Sequence, residues 1–154
     1  MKVEYVKPFA LASYDVLKEV LESPIKRGKL MLRQSPVAIN GVAVILGITG
    51  NLEGRVIFDM SEETAIKIAG AMNYEEFTVF DKLAKSTISE LGNIIAGKAI
   101  SVLNDDGWKF SITPPMLLCG NNMETTDSLE DTLVVPLETG CGCFNINVAL
   151  KEKN

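Results

Sequence analysis

The stretch "KSTISELGNIIAGKAISVL", Lys85 to Leu103, lies between two strand-patterned parts of the chain, and reading it as one long helix decides the fold class. It holds Gly92 and Gly97, although glycine costs a helix about 1 kcal/mol against alanine. Turned at about 100° per residue with Glu90 at zero, Ser86, Asn93 and Gly97 fall within about 60° of it on one narrow stripe. Ala84, Ile88, Leu91, Ile95, Ala99 and Val102 gather on the other side, centred about 140° away, and form the expected core face. Gly92 lies toward that face, where a missing side chain admits close packing. Gly97 lies on the outward stripe one turn after Asn93 and lowers the helix surface, with Ile94 and Ile100 expected as partly exposed shoulders.

Working outward, the helix is expected to run from Glu75 to Asn104. Before it, Ser61 can cap a shorter helix, with Glu62 and Glu63 in a first turn that favours negative charge, and Ile66, Ile68, Ala69 and Met72 carrying it to about Asn73. "KLMLRQ", "NGVAVILGIT" and "RVIFDM" read as strands, the last two joined through a turn at Gly50–Gly54. The nearly unbroken apolar run in the second of these predicts a strand covered on both faces. At the N-terminus, apolar residues at helical spacing predict a helix over Val3–Leu21, with Pro24 just past its end.

After the long helix the pattern turns to strands, "WKFSIT", "PMLLCG", "DTLVVPLE" and "GCFNINVALK", with "ETGCG" as the turn between the last two. Gly120–Asp131 is the expected mobile loop. Helices and strands therefore come in groups. That order implies an α+β fold, a largely antiparallel sheet packed with helices, in a single domain over residues 1–154.

Composition excludes several classes of function. The 154 residues are 47% apolar and 23% charged, with a formal net charge of −5 and no Lys/Arg cluster, so nucleic acid is not an expected partner. The N-terminus has no signal-peptide core and the longest apolar run is too short to span a bilayer, so a cytoplasmic protein is expected, with no membrane contact. There are three cysteines and no histidine, which removes His-based acid–base catalysis in its usual form. Cys141 and Cys143 lie two apart and Cys119 is distant, short of the four ligands a structural zinc needs, so no metal site is expected. Along a strand, alternation would point Cys141 and Cys143 to the same face, and Trp108 and Phe110 would begin a strand packed on the sheet. Gly47, Gly50 and Gly54 lack the G-K-[ST] ending of a phosphate loop and precede a strand, so they read as a hairpin turn.

The outward stripe of the long helix is small, polar and flanked by apolar residues, where a merely solvated face would carry Lys, Glu, Gln and Arg. It suits contact with another protein. An exposed Glu and Asn on a helix are nonetheless ordinary, and the pattern alone assigns them no chemistry.

The pattern S-x-x-x-E-x-x-N-x-x-x-G, met by Ser86, Glu90, Asn93 and Gly97, resembles the active motif of the CheC/CheX family of chemotaxis phosphatases. Ile45–Met72 is similar to that family's hairpin and following helix, and Ser111–Gly120 to the strand segment after its long helix. CheC-like members generally carry two copies of the motif. Here "VKPFALASYDVLKEVLES" has no E-x-x-N, so the likeness is to the CheX branch.

The resemblance implies a CheC-like fold and a phosphatase that hydrolyses the aspartyl phosphate of a CheY-type response regulator. It implies Glu90 and Asn93 as catalytic residues, Asn93 aligning the attacking water and Glu90 docking to the partner's lysine. Ser86, Ile94, Gly97 and Ile100 would touch the partner. No cofactor of its own is expected, since the Mg²⁺ belongs to the partner's receiver domain, and a homodimer is implied. Two alternatives stay open at this point: a noncatalytic module recruiting a signalling partner through the same face, and a structural or oligomerising domain.

Overall fold

Two nine-residue strands make the centre of the computed structural model, which describes residues 3–126 and 131–152. The chain begins with α1 (Val3–Leu21) and the short strands β1 (Lys26–Arg27), β2 (Met31–Gln34) and β3 (Val37–Ile39). The central hairpin follows as β4 (Val42–Gly50) and β5 (Leu52–Met60), then α2 (Glu62–Asn73) and the long α3 (Lys82–Asp105). The chain returns through β6 (Phe110–Ile112), β7 (Met116–Cys119), β8 (Met123–Thr125), β9 (Asp131–Thr139) and β10 (Gly142–Glu152).

The main sheet has the order β1-β9-β10-β5-β4-β6, with β2 also on β9 and β7 also on β4, and its pairings are antiparallel. The expected α+β class is thus observed. Side chains that alternate along the strands explain its two layers. Val42, Val44, Leu46 and Ile48 of β4 join the large core beneath the three helices, with Phe58, Phe144 and Ile146 from neighbouring strands. Ala43 and Ile57 point the other way and pack with Ile39, under the separate ribbon in which β3 pairs with β8. Strand β4 is therefore covered on both faces, as its apolar run predicts.

That ribbon corrects the reading of Gly120–Asp131 as a mobile loop, because Met123–Thr125 is paired strand; residues 127–130 lie outside the described residues. The turn at Gly50–Gly54 is also tighter than expected, since β4 reaches Gly50 and β5 begins at Leu52. Cys141 sits in the turn before β10 and packs on the large core, whereas Cys143 lies in the strand and its thiol donates to Asn145 Oδ1 at 3.3 Å. The turn breaks the alternation that would have given them one face. Trp108 precedes β6, stacks on Phe110 at 5.6 Å and meets Tyr5 of α1 edge-on at 5.7 Å.

Helix α2 starts at the Ser61 cap, whose hydroxyl accepts from Thr64 N at 3.1 Å. It closes at Tyr74, held left-handed at φ 52° with its N–H on the Gly70 carbonyl. Helix α3 then starts at Lys82, not at Glu75. The Tyr74 cap ends one helix, Phe80 is buried, and the Asp81 carboxylate accepts from Ala84 N at 2.9 Å to begin the next.

Candidate functional site

Helix α3 presents its outward stripe as the periodicity implies. Ser86 and Glu90 are exposed, Asn93 is half-buried, and Ile94 is 43% exposed. A Cβ built on Gly97 would find nothing within 4 Å, so the surface there is open backbone. Among the described residues the side chains of Ser86, Glu90 and Asn93 make no hydrogen bond or ion pair, which leaves them available to a visitor.

Ile100 corrects the sequence reading: it is 7% exposed and belongs to the core. Val102, assigned to the core, is 45% exposed. The first of these has a rotational cause. The buried residues of α3 centre about 180° from Glu90 at 100° per residue, where the sequence placed the centre about 140° away. This rotation draws Ile100 under cover, whereas Val102 has the same angle as buried Ala84 and is exposed in the last turn of the helix. The rotation sets Gly92 against the sheet, its Cβ position 2.6 Å from Val44 Cγ1 and 3.4 Å from Phe58 Cδ2.

The sequence reading missed Leu83, which is 48% exposed. It occupies the same stripe as Glu90 and Gly97, and the even spacing of 83, 90 and 97 was the signal for it. Asn73 steadies this end of the helix: its Nδ2 donates to Thr87 Oγ1 and to the Ala69 carbonyl, both at 2.8 Å, tying α2 to α3. Toward the other end, Lys98 Nζ lies 3.5 Å from Asp15 Oδ2 of α1, an exposed pair that adds little stability but marks where the two helices meet.

Three residues apart on a helix, Glu90 and Asn93 hold their Cβ atoms about 5–6 Å apart. One offers a carboxylate that only accepts hydrogen bonds and carries charge. The other offers an amide that both donates and accepts without titrating. Such a pair can enter one polar pocket together and hold a water or a cationic side chain there. Among the described residues no group of three or more His, Cys, Asp or Glu side chains is placed to hold a metal ion.

A second polar centre lies on the far side of the sheet. Asp59 is buried, its Oδ2 accepting from Asn40 N and its Oδ1 from Asn147 Nδ2, both at 2.7 Å. Burial pushes its carboxyl above the usual range, against the opposing pull of those donors. Its donors are protein groups bridging the sheet and the loop before β4, so it is structural.

An antiparallel sheet with three helices on one face, the longest displaying a carboxylate and an amide outward, defines an α+β protein of the CheC-like type. The profile of the family described as chemotaxis phosphatase CheX matches residues 42–138, which include the whole outward motif. The CheY-P phosphatase CheX of Thermotoga maritima is 36% identical over 112 residues, 72% of this chain and 72% of that one. The chain belongs to the CheX family of chemotaxis phosphatases. Among solved structures, the CheX–CheY–BeF₃–Mg²⁺ complex from Borrelia burgdorferi matches with 36% identity and a TM-score of 0.84, covering 98% of this chain and 100% of that one. A chemotaxis protein CheX from Desulfovibrio desulfuricans, 24% identical, shares the fold with a TM-score of 0.86 over 96% of this chain and 99% of its own.

Proposed function

We propose that this chain accelerates hydrolysis of the aspartyl phosphate on a CheY-type chemotaxis response regulator. The observation that carries the proposal is Glu90 and Asn93 standing on the outward stripe of α3 with no partner among the described residues, within the matched family region. The name of the Thermotoga relative and the CheY partner in the Borrelia complex support it. Trifluoroberyllate on a carboxylate stands in for a phosphoryl group, and the Mg²⁺ of that complex supports a metal held on the receiver.

An acyl phosphate so neutralised lacks chiefly a water in line with the P–O bond to the aspartate. Phosphoryl transfer demands position and electrostatics more than a covalent partner. Asn93 supplies an acceptor and two donors in a rigid plane, and so fixes that water. The water adds to phosphorus, the P–O bond to the aspartyl carboxylate breaks, and carboxylate and inorganic phosphate are released. Glu90, as a second negative charge, would oppose the phosphoryl group unless a cation lay between them. It therefore docks on the receiver's lysine. Ser86, Ile94, Gly97 and the added Leu83 form the surrounding contact.

The same reading makes the protein cytoplasmic, a single domain over residues 1–154, and a homodimer. Exposed Met116 and Leu118 on the outer strand β7 support the last of these. The test is loss of label from a phosphorylated CheY-type receiver domain with and without this protein. A stable complex without acceleration would replace the proposal by the noncatalytic module, and neither effect would leave a structural domain.

A further inference from the structure

We infer that the groove between α1 and the Arg27–Leu30 segment is a docking site for an acidic, amphipathic peptide segment of another protein. The groove encloses about 510 Å³, within the range of about 300–1,000 Å³ of ordinary ligand pockets. Buried Val6, Val135 and Leu137 make its floor, and Leu11, 53% exposed, stands in its wall with Leu30. Lys7, Arg27 and Lys29 ring it. All three are exposed, and among the described residues none makes an ion pair.

That grouping runs against the charge of the molecule. The chain carries a net −5, yet its apolar groove is bordered by uncompensated cations. An occupant that satisfies both features must place bulky apolar side chains on the floor and carboxylates at the rim, which describes one face of an acidic amphipathic segment. A nucleic acid would meet the cations but leave the apolar floor unused. A flat anionic bilayer would meet the rim cations but cannot fill a recessed groove. Arg27 ends β1 opposite Leu137, and the next residue, Gly28, donates its N–H to the Pro136 carbonyl at 2.8 Å, so the rim is a fixed part of the sheet edge. This site is separate from the Glu90–Asn93 stripe and does not depend on its role.

The test uses two fluorescent helical peptides with identical Leu and Phe faces, one flanked by Glu and one by Lys. The Glu peptide should bind the full chain, the Lys peptide should bind at least about tenfold more weakly, and the double variant Arg27→Glu/Lys29→Glu should reverse the preference. Leu11→Asp, at an exposed position, should abolish binding of the Glu peptide with an unchanged circular dichroism spectrum. Equal binding of the two peptides, no binding of either, or indifference to these substitutions overturns the inference. So does loss of self-association in Leu11→Asp, which would make the groove an interface between copies. Adsorption to phosphatidylserine vesicles through Arg27 and Lys29 would overturn it in favour of a lipid surface.

Discussion

A Cβ on Gly92 would lie 2.6 Å from Val44 Cγ1, so α3 rests on the sheet by its backbone. Val44 is fully buried and branched at Cβ, and has little freedom to withdraw. Gly92→Ala should therefore overpack the core at a cost of about 1–3 kcal/mol, only partly offset by about 1 kcal/mol of helix propensity. Gly97→Ala meets no neighbour and should stabilise by up to about 1 kcal/mol. Urea unfolding of both variants checks this, and equal shifts in the same direction would deny that the helix is seated through Gly92.

Much of this arrangement is legible in the sequence because it is periodic or capped. Val3–Leu21 has helical spacing and a proline beyond it, Ser61 is a cap, and the polar stripe from Ser86 to Gly97 follows from the turn of a helix. What is not legible depends on tertiary contact. The three-residue strands β3 and β8 are too short to show a period, and they find each other across a long stretch of chain, Val37 opposite Thr125. Ile100 is drawn inward because the rotation of α3 is set by the elements it packs on, and Val102 is exposed in the last turn of that helix. The segment from Glu75 to Asp81 reads as helix until Tyr74 turns left-handed and Phe80 is drawn inward.

Asn93→Ala should lower dephosphorylation of the receiver by about 10²-fold or more, as loss of a well-placed polar group does. Its binding to a trifluoroberyllate-loaded receiver should change little, since in the proposed mechanism the amide acts on the water. A turnover rate equal to the parent's in single-turnover assays would remove Asn93 from the chemistry.

Glu90→Ala should act mainly on complex formation. The carboxylate is exposed and has no partner among the described residues, so its removal leaves nothing buried and unpaired there. Titration calorimetry should show weaker binding, with a smaller salt dependence because one charge pair has gone. Undiminished affinity would contradict the docking role.

Gly97→Leu tests the open spot on the stripe directly. The added side chain enters solvent, so the fold should be unchanged or slightly stabilised, because leucine is the better helix former. Binding of the receiver should nevertheless fall, because a bulky group would hold the two surfaces apart. A normal complex, measured beside a normal unfolding curve, would show that no partner approaches at Gly97.

Asp59 supplies a pH dependence whose sign can be worked out. Burial raises its folded-state pKa above the ordinary 3.8, while Asn40 N–H and Asn147 Nδ2 pull it down less strongly. Between the unfolded and folded values the native protein binds more protons than the unfolded chain, so this group's stabilising contribution falls as pH rises through that window. It is fully present below the unfolded value and gone above the folded one. The test isolates this one group as a difference: parent against Asp59→Asn across about pH 4 to 7. Asn at this position cannot accept from both donors, so the variant should be less stable at the acid end. Its deficit should shrink as pH rises and the parent's carboxyl is forced to ionise in a buried site. Nearby Cys143, its thiol pushed upward chiefly by burial and further by Glu138 and Asp59, stays protonated throughout this range and leaves the comparison clean. Parallel profiles for the two proteins would mean that Asp59 ionises as freely folded as unfolded, and that the sheet does not shield it.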